Sequence, residues 1–411
     1  MLGLPFVVAA ISSFVSLPNV EGLKLPNGAA KLPAMGYNTW NYYQCNINET
    51  LVLTTAQQMK SLGLQDAGYK YVNLDDCYSQ RDRNSAGDIV EDPVKFKSGM
   101  KNLTDQIHAM GFKAGIYSDS GTNTCAGYPG SYGNEQRDAD LFFGKWGFDY
   151  LKYDNCFVPS DTVTRTGIIG RYTRMRDAII SATSKFNKDI VFSLCKWGNN
   201  QVWLWGADIG HSWRTTGDIE SHWWSVTDIL NRNSFITQAT NHYGHNDPDM
   251  LQVGNGDLTY DENKSHFTAW ALLKAPLLIG TDLYKIKPEV VSILSNKELI
   301  AINQDDVVGT SIAPFKWGYN PDWTFDKDHP AQYWSGPTKD GVVFMLLNVR
   351  DTPDNLSFTL TDSPWIKNGR KYSVRDLWTH TDNGTVSGTF TAKNVPRHGV
   401  VALLLKEVGD A

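Results

Sequence analysis

The chain has 411 residues, more than one hydrophobic core usually supports, so we expect one large domain with a smaller companion. Charged residues make up 20% of the chain, the formal net charge is −6, and no Lys/Arg-rich run is available to neutralise phosphates. This composition argues against a nucleic-acid partner.

An apolar segment opens the chain, which begins MLGLPFVVAAISSFVSL and has its first basic residue at Lys24. The stretch 4–17 is too short and too often interrupted by Ser to span a bilayer. We therefore expect residues 1–22 to be a cleaved secretory signal, the protein to be extracellular, and no membrane partner. N-x-[ST] sequons that suit surface glycosylation of an exported protein lie at Asn48, Asn102, Asn263, Asn355 and Asn383.

From about residue 32 to residue 312, the chain repeats a short apolar run, polar residues and then a helical stretch. The runs predicted as strands are 32–38, 69–75, 113–119, 149–154, 190–195, 211–216, 242–250 and 276–282. Amphipathic helix candidates between them include 50–62 and 99–110. Apolar strands separated by helices form parallel β/α units, and eight such units predict a (β/α)8 TIM barrel, placed at residues 23–308.

After about Val308 the pattern changes to alternating strands without a long helical stretch. The runs AQYWSG, GVVFMLLNV, YSVRDLW and GVVALLLKE are separated by turn signals that include Lys339-Asp340-Gly341 and Asn383-Gly384. This pattern predicts a C-terminal antiparallel β-sandwich domain, residues 309–411, packed against the barrel. It carries no evident group of acids, so we expect no catalytic part for it.

Five cysteines in an oxidising compartment suggest two disulfides and one leftover thiol. The sequence contains no CxxC pair, no Cys/His cluster of zinc type and no HExxH motif. It also lacks a phosphate-binding glycine loop and a GxSxG elbow. We therefore expect no metal and no cofactor.

Charged or reactive residues follow nearly every predicted strand. They are Asp75 and Asp76, Asp119, Lys152 and Asp154, Cys195, Arg214 and Asp218, Asp247 and Asp249, and Asp282. In a barrel these strand ends converge on the face that holds the active site. Some of the acids, such as Asp282, are equally well explained as helix N-caps.

Retaining glycoside hydrolysis needs two carboxyl groups about 5–5.5 Å apart, and strand-end acids are candidates for both. Asp154 follows Lys152 by two residues, so both side chains point to the same side of the strand, and the cation would lower the carboxyl pKa. A structural ion pair explains this spacing equally well. Asp218 is a candidate acid/base, and partial burial and a nearby carboxylate can raise the pKa of such a group towards working pH. Nothing in the pattern, however, separates Asp218 from Asp76 or Asp249. The residues alone therefore indicate a sugar-like polyol substrate and acid pairs at a barrel mouth.

Ten motifs, in this order, resemble the α-galactosidases of glycoside hydrolase family 27, closest in style to fungal members. They are MGYNTWNYYQC, YVNLDDCY, AGIYSD, TCAGYPGS, DYLKYDNC, SLCKWG, SWRTTGD, NDPDML, APLLIGTDL and AINQD. The resemblance runs from about residue 32 to the end of the chain. It implies a retaining enzyme that removes terminal α-galactose from oligosaccharides.

Residue roles follow from the resemblance. It makes Asp154 the nucleophile and Asp218 the acid/base. Asp75 and Asp76 would hold the C4 and C6 hydroxyls of galactose, where an axial C4 hydroxyl distinguishes it from glucose. The other implied substrate contacts are Trp40, Tyr117, Lys152, Arg214, Asp249 and Met250.

Disulfides are implied by the same resemblance, between Cys45 and Cys77 and between Cys125 and Cys156. Each would join loops that follow neighbouring strands, where bridging is feasible. Cys195 would then remain as the free thiol.

Substrate choice is implied by the loop after the fifth strand, which reads Cys195-Lys196-Trp197. In the family this loop distinguishes a 2-hydroxyl from a 2-acetamido group, and Trp197 would fill the acetamido space. This favours an α-galactosidase over an α-N-acetylgalactosaminidase, while Cys195 is equally explained as a small buried hydrophobe. A catalytically inactive galactose-binding protein on the same barrel is the remaining alternative.

Overall fold

The computed structural model describes residues 24–25, 28–159 and 165–411, without the side chains of residues 165 and 166. The predicted signal segment, residues 1–22, lies outside the described residues. Within those ranges, no helix is both long and apolar enough to cross a bilayer.

Eight parallel strands form the barrel wall and confirm the predicted TIM barrel. They are β1 (Met35–Asn38), β2 (Tyr71–Asn73), β3 (Lys113–Asp119), β4 (Tyr150–Asp154), β5 (Val191–Leu194), β6 (Ser212–Arg214), β7 (His245–Asp247) and β8 (Leu277–Ile279). Their hydrogen-bonded order is β7-β6-β5-β4-β3-β2-β1-β8. The ring closes through a parallel bridge between Leu251, which follows β7, and Ile279 of β8.

Helices alternate with the barrel strands. They are α1 (Trp40–Tyr43), α2 (Glu49–Ser61), α3 (Met100–Ala109), α4 (Glu135–Ala139), α5 (Arg165–Phe186), α6 (Trp223–Ser234), α7 (Tyr260–Leu272), α8 (Pro288–Leu294) and α9 (Lys297–Asn303). Local signals fix the starts of α2 and α7: the Asn48 side chain accepts a hydrogen bond from the Leu51 amide at the start of α2, and Thr259 and Glu262 form a capping box on α7. The helices predicted at 50–62 and 99–110 correspond to α2 and α3.

The C-terminal part consists of antiparallel strands, as predicted. They are β9 (Ala313–Lys316), β10 (Tyr333–Thr338), β11 (Gly341–Leu347), β12 (Asp354–Thr359), β13 (Arg370–Asp376), β14 (Thr381–Val386), β15 (Thr389–Val395) and β16 (Val400–Asp410). One sheet has the order β14-β13-β16-β11-β10-β9, and β12 pairs with β15 in a second sheet. The turn signal at Lys339-Asp340 is confirmed, because Thr338 pairs with Gly341 across it.

Strand β11 shows how the larger sheet joins the two parts of the molecule. Val343, Met345 and Leu347 belong to the hydrophobic cluster that contains the barrel core. Phe344 and Leu346 belong to the separate cluster between the two sheets. Because successive side chains of a strand point to opposite faces, one strand contributes to both cores.

The turn expected at Asn383-Gly384 is wrong, because both residues lie inside β14. The β13–β14 pairing shifts register between Ser373 and Arg375, opposite this dipeptide. Gly384 has φ +74°, a left-handed conformation that glycine adopts without steric cost. The signal therefore marks a β-bulge.

The five sequons differ in exposure. Asn48, Asn102, Asn355 and Asn383 are exposed. Asn263 is only 4% exposed, and its side-chain amide donates hydrogen bonds to the carbonyls of Leu258 and Thr259 at 3.0 and 2.8 Å. The expectation that Asn263 is a surface glycosylation site is therefore wrong.

Candidate active site at the barrel mouth

A pocket of about 350 Å³ opens at the C-terminal ends of the barrel strands. The sequence-predicted residues that line it are Trp40, Asp75, Asp76, Tyr117, Lys152, Asp154, Trp197 and Asp218. They come from strands β1 to β6 or the loops that follow them. Parallel strands in a closed barrel bring their C-terminal ends to one face, which is why residues so far apart in sequence share one pocket.

Asp154 ends β4 and is 6% exposed. The Tyr117 hydroxyl donates a hydrogen bond to its Oδ2 at 2.9 Å, and the Asn155 amide donates to its Oδ1 at 2.9 Å. Burial raises the pKa of Asp154, and the opposing effects of the Lys152 charge and the Tyr117 hydrogen bond only partly offset it. We expected Lys152 to lower this pKa; its contribution has that sign, but the net shift is upward because desolvation is larger.

Lys152 directs its ammonium group to Asp75, with Nζ 2.9 Å from Oδ2, and the two side chains are 13% and 2% exposed. The Asn38 side-chain amide donates to the same Oδ2 at 2.8 Å, and the Asp76 backbone amide donates to Oδ1 at 3.0 Å. Lys152 therefore does form a structural ion pair, the alternative that sequence analysis left open. Its partner, however, is Asp75 and not Asp154.

Asp76 connects two loops of the pocket rim. Its Oδ1 accepts from the Cys77 amide at 2.7 Å, and its Oδ2 accepts from the Ala126 amide at 3.0 Å. Burial is the largest influence on this carboxyl group and raises its pKa. The side chain therefore fixes the backbone around it and also lines the pocket.

Disulfides join Cys45 to Cys77 and Cys125 to Cys156, as the resemblance implied, and Cys195 is a buried free thiol. Cys125 and Cys156 also line the pocket, a role that sequence analysis missed. The available signal was the position of Cys156, two residues after Asp154. Although these sulfur atoms lie near two carboxylates, the disulfide removes the thiolates that a metal would need.

Asp119 at the end of β3 received no role from the sequence beyond its strand-end position. Its Oδ1 accepts from the Gly121 amide at 2.7 Å, and its Oδ2 accepts from the Cys156 amide at 2.9 Å. Burial, and after it the charge of Asp154, raise the pKa of Asp119 to about 8. Asp119 thus holds the disulfide-bonded loop beside the pocket.

Arg214 lies behind the pocket wall and is 3% exposed. Its Nη2 lies 3.0 Å from Asp218 Oδ1 and 3.0 Å from Asp249 Oδ2, and its Nη1 donates to Cys195 Sγ at 3.6 Å. Burial opposes the charge of Arg214, but the carboxylates around it raise its pKa overall. Arg214 therefore joins Asp218 to Asp249.

Four residues expected to contact substrate are not among the described residues that line the pocket: Cys195, Arg214, Asp249 and Met250. All four are buried. The Met250 backbone amide donates to Asp249 Oδ1 at 2.7 Å, so this segment is held by its own carboxylate. The structure places these residues in support of the wall, and their direct contact with substrate stays a prediction.

Asp218 is the most open carboxylate of the pocket, with 67% of its side chain exposed. Burial raises the pKa of Asp218, but the charges of Arg214 and Lys152 and the Arg214 hydrogen bond outweigh it. The net pKa is lowered. The expectation that partial burial and a neighbouring carboxylate raise the pKa of Asp218 is therefore wrong for the free protein.

Comparison with protein families identifies both parts of the chain. Residues 32–305 match a family described as α-galactosidase A. Residues 328–405 match the α-galactosidase C-terminal β-sandwich domain.

Individual relatives and solved structures agree with these matches. A probable α-galactosidase B of Talaromyces emersonii is 44% identical, covering 94% of this chain and 94% of the relative. The crystal structure of α-galactosidase I from Mortierella vinacea has a TM-score of 0.86 at 36% identity and covers 94% of this chain and 100% of that one. A Saccharomyces cerevisiae α-galactosidase structure with raffinose has a TM-score of 0.85 at 32% identity and covers 93% and 99%.

The buried pair of Lys152 and Asp75 leads to a stability prediction. Replacing Lys152 with Met leaves the Asp75 carboxylate buried without its cation, so Lys152→Met should lower the free energy of unfolding by about 3 kcal/mol. Urea unfolding at neutral pH measures the change. Adding Asp75→Asn removes the unpaired charge and should restore part of the loss. Equal stability of Lys152→Met and the parent would contradict this account of the pair.

Proposed function

The chain belongs to the α-galactosidases of glycoside hydrolase family 27, and from that premise we propose how its barrel-mouth pocket hydrolyses a terminal α-galactoside. The enzyme is an α-galactosidase, an O-glycosyl hydrolase. One observation carries the residue assignment: Asp154 and Asp218, which the family motifs mark as nucleophile and acid/base, line the same pocket.

In the first half-reaction, an Asp154 carboxylate oxygen attacks C1 of the galactosyl unit while Asp218 gives its proton to the departing glycosidic oxygen. The bond from C1 to that oxygen breaks, and a covalent galactosyl-Asp154 ester forms. In the second half, Asp218 takes a proton from water, whose oxygen attacks C1 and releases Asp154. Two inversions at C1 give net retention.

The free protein holds Asp218 in its ionised form, because the net pKa of this group is lowered. A bound galactoside covers the exposed side chain and removes water from it. Loss of water disfavours the charged form and raises the pKa, which suits an acid that must donate a proton. Substrate binding thus favours the protonated form of Asp218, the form that can act as the acid.

Galactose recognition is assigned to the acidic side of the pocket. Asp75 and Asp76 would accept the C4 and C6 hydroxyls, and the Lys152 ammonium group, which is held by Asp75, would bind a further hydroxyl. Trp40 and Tyr117 provide aromatic surface for the apolar faces of the ring. The yeast relative solved with raffinose supports an oligosaccharide substrate that ends in α-galactose.

We assign the enzyme to the extracellular space. Two disulfides are typical of an oxidising compartment, and four of the sequons are exposed. The apolar start of the chain fits a secretory signal.

Replacing the nucleophile tests the catalytic assignment. Asp154→Asn should keep the fold and reduce kcat on p-nitrophenyl α-galactoside by about 10³-fold or more, because an amide cannot attack C1. Asp282→Asn is the matched control: Asp282 follows β8, accepts a hydrogen bond from the Tyr43 hydroxyl at 2.9 Å and lies outside this pocket. Near-parental turnover of Asp154→Asn would exclude Asp154 as nucleophile.

Removing one hydrogen bond tests the ionisation of Asp154. The Tyr117 hydroxyl lowers the pKa of Asp154, so Tyr117→Phe should raise that pKa further. Since the free enzyme must hold Asp154 ionised, the acidic limb of the kcat/KM profile should move to higher pH. An acidic limb that stays in place or moves to lower pH would show that Asp154 does not control it.

Enlarging the wall tests sugar selectivity. Cys195→Ser with Trp197→Ala should raise the ratio of N-acetylgalactosaminide to galactoside hydrolysis about tenfold, or about 1.4 kcal/mol. Because Cys195 lies behind the wall, Trp197→Ala alone should give most of the change. A folded double variant with parental galactosidase activity and an unchanged ratio would place the selectivity elsewhere.

A further inference from the structure

We infer that Asp119 is a positioning residue of the reaction: it holds one proton beside the nucleophile Asp154 before the attack and releases that proton while Asp154 carries the galactosyl group. The inference rests on the proposed function of Asp154 as nucleophile. It gives a part in both half-reactions to a carboxyl group that is not among the described residues lining the barrel-mouth pocket.

Asp119 and Asp154 lie side by side on neighbouring strands. Each is the last residue of its strand, β3 or β4, and the two are paired in the register of the parallel sheet, so they point to the same side. An oxygen of one carboxyl group lies within 4.8 Å of an oxygen of the other, and the residues are 0% and 6% exposed. Two carboxylates this close and this buried repel each other strongly, so the pair binds a proton more readily than either group would alone.

The surroundings of Asp154 favour its ionised form. Burial raises the pKa of Asp154, but the charge of Lys152 and the Tyr117 hydrogen bond oppose this effect. The charge of Arg214 acts in the same direction as that of Lys152. Two cations and a hydroxyl donor therefore compensate in part for a negative charge on the nucleophile.

Asp119 has weaker support for a charge. Its side-chain oxygens accept hydrogen bonds from the uncharged backbone amides of Gly121 and Cys156, and the Cys125 sulfur lies 3.7 Å from Oδ2. This sulfur belongs to a disulfide and has no proton to donate. Burial, and after it the charge of Asp154, raise the pKa of Asp119 to about 8. At neutral pH the single proton of the pair therefore lies on Asp119, and Asp154 remains ionised for its attack on C1.

Other titratable groups act on Asp119 from the elements packed around it. Asp76, after β2, adds a second negative charge and raises the pKa of Asp119 further. Three tyrosines of β3, β4 and α5, whose pKa values burial raises so that they stay neutral, also lie near it: Tyr117, Tyr153 and Tyr172. These groups leave the proton on Asp119 in place.

Lys196, after β5, is a cation that acts on both carboxyl groups. Burial, and after it the charge of Arg171, lower the pKa of Lys196 to about 8. The charge of Asp154 counteracts this lowering more strongly than the charge of Asp119 does. Lys196 therefore also favours a negative charge on Asp154 over one on Asp119.

Esterification of Asp154 reverses the balance. When an Asp154 oxygen bonds to C1, its negative charge is lost, and the repulsion that kept a proton on Asp119 is lost with it. Asp119 then releases its proton to water and becomes the charged member of the pair. Hydrolysis of the ester restores the Asp154 carboxylate, and Asp119 takes a proton back. The pair thus keeps one negative charge at each stage of the reaction.

The test measures the protons released when the covalent intermediate is trapped. A galactosyl donor that is difluorinated at C2 and carries a picrate leaving group should form a long-lived ester on Asp154. Picrate leaves as an anion and takes no proton with it. At pH 7, an indicator dye in weak buffer should show that the parent releases about half a proton or more per ester formed. Asp119→Asn, which is neutral and similar in shape, should lose this release.

Lys196→Met is the matched control, because Lys196 also has a pKa of about 8 and loses a neighbouring negative charge when Asp154 is esterified. This variant should still release the proton. The parent enzyme provides a second control. Above about pH 9 Asp119 is already ionised before the donor binds, so the release should disappear there.

Peptide mass mapping of the ester separates this inference from the proposed function. An ester on a residue other than Asp154 would contradict the proposed function itself. With the ester on Asp154, no release from the parent, or equal release from the parent and Asp119→Asn, would overturn the role of Asp119. Loss of the release in Lys196→Met alone would assign the proton to Lys196 and overturn it as well. If Asp119→Asn forms no ester, Lys196→Met and the pH dependence of the parent decide.

Discussion

Carboxylates removed from water impose the constraint on which the whole site depends. Asp75, Asp154 and Asp249 are 1%, 6% and 2% exposed, and a buried carboxylate is costly unless cations and hydrogen bonds compensate for it. Lys152 pairs with Asp75 and Arg214 pairs with Asp249, while Asp154 accepts hydrogen bonds from a tyrosine and a backbone amide. The barrel wall is the scaffold that keeps these groups together.

Sequence patterns predicted the secondary structure correctly where buried apolar residues recur along the chain. Most barrel strands and the strongest C-terminal strands are apolar runs, which the sequence displays directly, although β6 and β7 are short and largely polar. Strands β9, β12, β14 and β15 were not named from the sequence because none of them is a long apolar run; β14 is exposed along almost its whole length. The turn predicted at Asn383-Gly384 was wrong for a related reason, since β-bulges and turns use the same residue types.

The sequence and the family resemblance predicted eight of the residues that line the pocket, but they gave less information on the contacts between those residues. The spacing of Lys152 and Asp154 reveals that they share a side of β4, yet the ion pair joins Lys152 to Asp75, 77 positions away. A local sequence pattern cannot identify such a partner, because the partner depends on how the barrel strands are aligned with one another. The net pKa directions of Asp154 and Asp218 were missed for the same reason, because each is a sum of burial and charges from several strands.

The two carboxylates of the proposed mechanism differ most in their access to water. Asp154 is already buried, so a substrate changes its solvation little, whereas Asp218 keeps 67% of its side chain exposed until a ligand covers it. Its acid strength therefore depends on what binds beside it. A bound galactoside with a large leaving group excludes more water from Asp218 than one with a small leaving group does. The pKa of Asp218 would then rise with the size of the leaving group, which links substrate binding to the protonation step.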